Sequence, residues 1–212
     1  MRNFPGRPLE TYAALPPEAL DSIEIRQAQL RDVAPMLRLI NDYAAKAVML
    51  PRTELELCES LRDFLVAVDL SSGTPSLAGC GALHFYTPHV AELRSLAVDP
   101  ARARGGLGRQ ITKDLLEQAR QLGVDVVFAF TYVPGFFEKM GFQTVDRGAL
   151  PLKAWKDCLR CPKFQACDEI AMACMLTPGA EIYMSAAPPE EDPAASAAIF
   201  PILGTPRILD NL

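Results

Sequence analysis

Apolar and polar residues alternate through Ser22–Ala28 (SIEIRQA), which predicts a first strand. From Leu30 the period lengthens. Leu30, Val33, Leu37, Ile40 and Ala44 recur at helical spacing and predict an amphipathic helix. Its Pro35 falls in the first turns, where proline costs least. PRTELELCESLRDF predicts a second helix, with Thr53 as its cap and Glu56, three residues on, completing a capping box. FLVAVD (Phe64–Asp69) and LAGCGALHFY (Leu77–Tyr86) predict a hairpin across the turn-rich SSGTPS. VAELRSLAV (Val90–Val98) predicts a third consecutive strand. Gly79 and Gly81 inside the middle strand mark a bulge or a close packing contact.

The next helix carries Leu107, Ile111, Leu115, Ala119 and Leu122 on one face and stops at Gly123. The apolar run VDVVFAFT (Val124–Thr131) suits a buried strand. PGFFEKM predicts a short helix ended by Gly141, FQTVD a further strand and EIAMACML (Glu169–Leu176) a last one. Residues 1–21 hold four prolines and predict an irregular arm. Residues 22–184 form the expected domain, with a cysteine-containing segment at 157–174. Residues 185–212, rich in Ala and Pro, predict an extended tail. No internal repeat is present. The order of elements predicts an α/β (α+β) fold: a mixed, mostly antiparallel sheet with helices packed on both faces.

Composition narrows the function classes. Half of the 212 residues are apolar and 22% are charged, as in ordinary globular domains. A net charge of -5 argues against nucleic acid as the main partner, since a phosphate backbone rewards a basic face. No apolar run approaches the roughly 20 residues of a membrane helix, so no membrane partner is expected. The N-terminal segment has no long apolar stretch behind its positive charges and does not read as a secretory signal. The expected location is cytoplasmic, with reduced thiols. The six cysteines are then more readily free or metal-bound than paired.

One stretch stands out chemically. AELRSLAVDPARARGGLGRQI (Ala91–Ile111) runs from strand to helix through Arg102, Arg104 and Arg109 and a Gly-Gly-Leu-Gly turn. Gly106 and Gly108 let a backbone approach a ligand closely, and a helix beginning there aims unpaired N–H groups at an anion. The plainer reading is a tight connection. No Gly-Lys-Ser/Thr follows, so it is not a Walker motif, and three preceding strands make it a poor dinucleotide fingerprint.

The second cluster is DCLRCPKFQACDE. Cys158 and Cys161 have the C-x2-C spacing of half a zinc or iron–sulfur site; Cys167 and Cys174 are the candidates for the other half. Redox sensing and plain structural cysteines are the alternatives. Cys58 and Cys80 lie on apolar patterns and read as core.

LAVDPARARGGLGRQI resembles the acetyl-CoA motif of the GNAT acyltransferase superfamily, and GFFEKMGF and GCGALHF resemble two further landmarks of its core. Within it, MLPRTELEL, LAGCGALHF, AELRSLAVDP and FTYVPGFFEKMGF are most similar to the short bacterial N-acetylglutamate synthases. The resemblance implies acetyl-CoA as co-substrate, a small amino-acid acceptor and a role in arginine biosynthesis. It places the pyrophosphate on backbone N–H groups of Arg104, Gly105, Gly106, Leu107, Gly108 and Arg109. It places the pantetheine arm along the backbone of Leu96, Ala97 and Val98, where the strand splays from its neighbour. Two positions depart from the family pattern. Its usual basic residue falls on Ala103, with Arg102 or Arg104 as neighbours that could substitute. The tyrosine that often protonates the departing thiolate is Phe137; Tyr132 is the nearby alternative.

The implied chemistry is direct attack of a neutral amine on the thioester, which a base assists. Glu92 is the first candidate base and His84 the second. A glutamate acceptor carries two carboxylates and needs cations; Arg52 is the best placed by resemblance, with Arg94 and Lys153 behind it. Other acceptors, such as a protein N-terminus, a polyamine or a drug, remain as alternatives, as does a non-catalytic acetyl-CoA-binding sensor. A homodimer is the expected self-association.

Overall fold

The computed structural model describes residues 22–102, 105–150, 158, 161, 163 and 166–180. The N-terminal arm, the tail from 185, Arg104 and Lys153 lie outside the described residues.

The described strands are β1 (Ile23–Gln27), β2 (Phe64–Asp69), β3 (Ser76–Phe85), β4 (Val90–Val98), β5 (Val126–Thr131), β6 (Gln143–Thr144) and β7 (Ile170–Met175). They form one sheet in the order β1-β2-β3-β4-β5-β7-β6. All neighbours are antiparallel except β4 and β5. The helices are α1 (Val33–Ala44), α2 (Glu54–Glu59), α3 (Leu107–Gln121) and α4 (Pro134–Glu138).

Period-two burial divides the sheet into two faces. Val66, Val68, Cys80, Ala82 and Ala97 pack with Met36 and Ile40 of α1 and Leu57 of α2. On the other face Ala67, Leu83, Ala91, Leu93, Val127 and Ala129 pack with Leu107, Ile111, Leu115 and Ala119 of α3 and Phe137 of α4. A third apolar group, Val90, Val126, Phe128, Leu150, Ala171 and Ala173, covers the β5–β7 end.

The predicted capping box of α2 is present: Glu56 N–H donates to the Thr53 hydroxyl at 3.2 Å, and Thr53 N–H donates to the Glu56 carboxylate at 2.8 Å. Three apolar assignments are corrected. Leu30 lies in a 3-10 turn before α1 and is 73% exposed, its place in the core taken by Met36. Leu122 follows the end of α3, where Gly123 turns the chain at φ 76, and it points to solvent. Cys58 is exposed, because six-residue α2 buries Leu57 and its successor is turned about 100° away.

The glycines of β3 mark both expected features. Between Cys80 and Ala82 the register with β4 shifts, so Ser95 and Leu96 together oppose Gly81. Ser95 takes φ 53, a left-handed conformation that bends β4 at this bulge. A Cβ on Gly79 would lie 3.1 Å from the Ala97 carbonyl oxygen, and one on Gly81 3.0 Å from Ile111 Cγ2. Small residues are needed there to let α3 lie flat on the sheet.

Candidate active site

Strands β4 and β5 pair only through Val90–Val126, Ala91–Val127 and Glu92–Phe128. Beyond Glu92 the bulge carries β4 away, and the two strands part. A cleft of about 1240 Å³ opens there. That exceeds the roughly 300–1,000 Å³ of an ordinary small-ligand site and leaves room for two co-substrates. Leu96 and Val98 line its β4 side, Thr131 and Tyr132 its β5 side, and Gly106, Gly108 and Arg109 one end.

That end has the chemistry of an anion site. Gly106 caps α3 at φ 79 with no side-chain cap, so the first-turn N–H groups of a fifteen-residue helix face the cleft unsatisfied by the helix itself. Neither the exposed Gly106 nor Gly108 puts a side chain in the way. Leu107 turns its own side chain into the core, as does Ala97 on β4. Arg102 forms an ion pair with Asp69 at the end of β2 and does not line the cleft. Arg109 is exposed and borders the cleft.

Glu92 sits at the point where the strands part. It is 3% exposed and lines the cleft, and Tyr86 donates its hydroxyl to Glu92 Oε2 at 3.1 Å. It is thus not the surface carboxylate that its sequence context allowed. His84 stands opposite Glu92 on β3 but outside the cleft wall, with Nδ1 2.7 Å from Asp63 Oδ2. Asp63 also faces Arg94, whose Nη2 lies 3.9 Å from the same oxygen.

Arg52 and Arg94 both border the cleft. The backbone of Arg52 is clamped to α1: its N–H donates to Asn41 Oδ1 at 2.9 Å, and Asn41 Nδ2 donates to its carbonyl at 3.0 Å. A third guanidinium, Arg147, which the sequence reading missed, lines the same cleft. It donates to the Glu169 carbonyl at 2.5 Å and lies 5.5 Å from the centre of the Phe130 ring.

Phe137 is buried in the core, edge-on to Phe136 and Phe142. Tyr132 lines the cleft and carries a hydroxyl. That hydroxyl donates to Asp168 Oδ1 at 2.8 Å and accepts from Lys163 Nζ at 2.9 Å. Burial pushes the Tyr132 phenol up from its usual range, and the bond from Lys163 pulls the other way.

The cysteines divide. Cys158, Cys161 and Cys167 border the cleft, whereas Cys174 is buried in the core beneath α3, 3.8 Å from where a Cβ on Gly141 would be. Cys161 N–H donates to the Cys158 carbonyl at 2.9 Å, closing a turn, and Cys161 Sγ accepts from Lys163 N–H at 3.4 Å. The four-cysteine ligand set is therefore corrected: Cys174 belongs to the core, and among the described residues no group of three His, Cys, Asp or Glu is placed to hold a metal ion.

The described sheet parts at its one parallel pair, and the cleft there joins a glycine-led helix N-terminus, suited to an anion, to a buried carboxylate. Residues 35–142 match the acetyltransferase (GNAT) family, and the chain belongs to it. It is an acetyl-CoA-dependent N-acetyltransferase. An uncharacterized N-acetyltransferase of Chlorobaculum tepidum is 39% identical over 148 residues, 70% of this chain and 93% of that protein. An amino-acid acetyltransferase of Mycobacterium tuberculosis is 36% identical over 124 residues, 58% of this chain and 69% of that protein. Among solved structures, N-acetylglutamate synthase from Neisseria gonorrhoeae, complexed with coenzyme A and N-acetyl-glutamate, superposes with a TM-score of 0.64 at 25% identity. The match covers 73% of this chain and 35% of that one. A Mycobacterium tuberculosis protein solved in complex with CoA superposes with a TM-score of 0.63 at 27% identity, covering 73% of this chain and 99% of that one.

Proposed function

We propose that the chain acetylates the α-amine of an amino acid, with L-glutamate the first candidate, and so acts as an N-acetylglutamate synthase in arginine biosynthesis. The observation that carries this reading is that buried Glu92 lines the same cleft as the guanidinium-bearing Arg52, Arg94 and Arg147. An amine needs a nearby base, and a dicarboxylate needs cations with forked donors. Relatives named as amino-acid acetyltransferases support the same class of acceptor.

The α-ammonium of an amino acid loses its proton near pH 8, so at neutral pH a base raises the reactive fraction. Glu92 takes that proton, directly or through water. The amine nitrogen attacks the thioester carbonyl carbon and sheds its second proton to solvent, the C–S bond breaks, and coenzyme A leaves as a thiolate. Tyr132 supplies its proton. The first turn of α3 holds the pyrophosphate, and the unpaired edge of Leu96–Val98 lies along the pantetheine arm.

The test is thiol release from acetyl-CoA across a panel of amino acids, polyamines and peptide N-termini. Turnover highest with glutamate or glutamine is expected. Turnover confined to polyamines or peptides would overturn the acceptor assignment and leave the transferase chemistry intact.

A further inference from the structure

Lys163 lies in the cysteine-containing segment, thirty-one residues beyond Tyr132. Its ammonium donates to the Tyr132 oxygen at 2.9 Å and sits 4.8 Å from the centre of the same ring. It also stands 3.6 Å from Asp168 Oδ1 and donates to the carbonyl of Ala47, just after α1, at 3.3 Å. One side chain therefore ties the end of β5 to the loop that follows α1, across the side of the cleft. Its own backbone is tied down through Cys161 Sγ.

We propose that Lys163 is the positioning residue for Tyr132: it holds the phenol at the cleft wall and stabilises the phenolate formed when Tyr132 protonates the departing thiolate. This rests on the proton-donor role given to Tyr132 above. The argument is electrostatic. Tyr132 gives its hydroxyl proton to Asp168 Oδ1 as a hydrogen bond, and the nearby Asp168 and Glu169 carboxylates oppose a negative charge on the phenol. Left with these alone, the phenol would be a reluctant acid. A cation in direct contact with the phenol oxygen offsets them, because a hydrogen bond donated to the charged form favours it. Among the described residues, Lys163, Asp168 and Glu169 are the charged groups that act on the phenol, and Lys163 is the cation among these three. Lys163 does not itself line the cleft. When the thiolate takes the Tyr132 proton, the phenolate remains beside the ammonium until solvent returns a proton to it, so charge and protons balance without a further reactant.

The experiment is steady-state kinetics over pH on the full chain, with the amine that gives the highest turnover as acceptor. The variants are Lys163→Met, Lys163→Arg, Tyr132→Phe and the Lys163→Met, Tyr132→Phe double. Lys163→Met is expected to lower kcat roughly tenfold, the scale of one charge-assisted hydrogen bond, with the KM for acetyl-CoA little changed. The alkaline limb of kcat should move to higher pH, since the phenol loses the donor that pulls it down. Lys163→Arg should recover most of the rate, and Lys163→Met should cost nothing further in the Tyr132→Phe background. An equal loss in that background, or an unmoved alkaline limb, would overturn the role of Lys163 and leave Tyr132 as the donor. Unchanged kcat in Tyr132→Phe alone would instead overturn the donor assignment on which it rests.

Discussion

Tyr43, in the last turn of α1, donates its hydroxyl to the carbonyl of Val98, at the end of β4, at 2.6 Å. The bond spans 55 residues of chain and fixes the far end of β4, beyond its last pair with β5 at Glu92. Tyr43→Phe removes it at a net cost of about 1 kcal/mol, the scale of one neutral hydrogen bond. The variant should melt slightly earlier and show a severalfold higher KM for acetyl-CoA, with kcat little altered. An unchanged KM would show that the end of β4 keeps its place without this tether.

Glu92→Gln keeps the shape of the side chain and its contact with Tyr86 but cannot take a proton. A positioned base is worth on the order of 10²–10⁴ in rate, and kcat should fall by that order near neutral pH. Raising the pH should recover part of the loss, because more of the amine is then already neutral. Tyr86→Phe leaves the carboxylate in place and should cost far less.

Gly79 and Gly81 differ in what crowds them. A Cβ on Gly79 meets the Ala97 backbone carbonyl at 3.1 Å, whereas one on Gly81 meets the ends of the Ile111, Leu115 and Leu96 side chains at 3.0–3.2 Å. Replacing glycine by alanine also lowers the entropy of the unfolded chain, worth about 0.4–1 kcal/mol in favour of folding. Overpacking costs about 1–3 kcal/mol and should win at Gly79, where backbone cannot yield. Gly81→Ala should be much closer to neutral. Denaturant midpoints of the two variants check the order.

Asp32 gives the fold a pH dependence. Burial pushes its carboxyl up, but the bonds from Arg26, at 2.7 and 3.0 Å, and from the Gln29 N–H, at 2.7 Å, outweigh this and hold it below the ordinary range. A lowered folded value stabilises the protein above the unfolded value near 3.9, and that stability is lost as the pH falls through the folded value. Asp32→Asn should therefore cost about 1–3 kcal/mol at pH 7. Its difference from the wild type should shrink as the pH drops below about 4.

Thiol chemistry should separate the cysteines. Burial pushes the Cys80 thiol up to about 12, and it lies fully inside the α1 face of the core. Cys58 is exposed on α2. Iodoacetamide at neutral pH should modify Cys58 early and Cys80 only after unfolding, as peptide mapping would show. Early loss of Cys80 would mean that the α1 face opens readily.

Much of the fold is local in origin and was legible in the sequence. Thr53 and Glu56 are three residues apart and announce their capping box; the alternation in β1 and the glycine after α3 work over similarly short range. The errors came where a periodic pattern met an element's end. Leu30 and Leu122 fit the helical spacing, but each stands outside its helix, where the spacing no longer sets direction. The site was legible where the motif is backbone chemistry, at Gly106 and Gly108. It was less so where partners are distant in the chain. The capture of Arg102 by Asp69, the Tyr86 bond to Glu92 and the arrival of Arg147 at the cleft depend on strand register and on how the chain returns to the sheet. No single stretch of sequence encodes these.

The parting of β4 and β5 has a thermodynamic side. A continuous sheet satisfies its own amides and carbonyls, whereas these two strands give up their mutual pairing along two thirds of β4 and half of β5. Water must hydrate the bared edge when the cleft is empty and must be stripped from it when a co-substrate enters. The molecule thus holds an unfinished seam in its middle. Closing that seam stabilises whichever guest brings a matching backbone-like row of donors and acceptors, and sends a guest without one back into solvent.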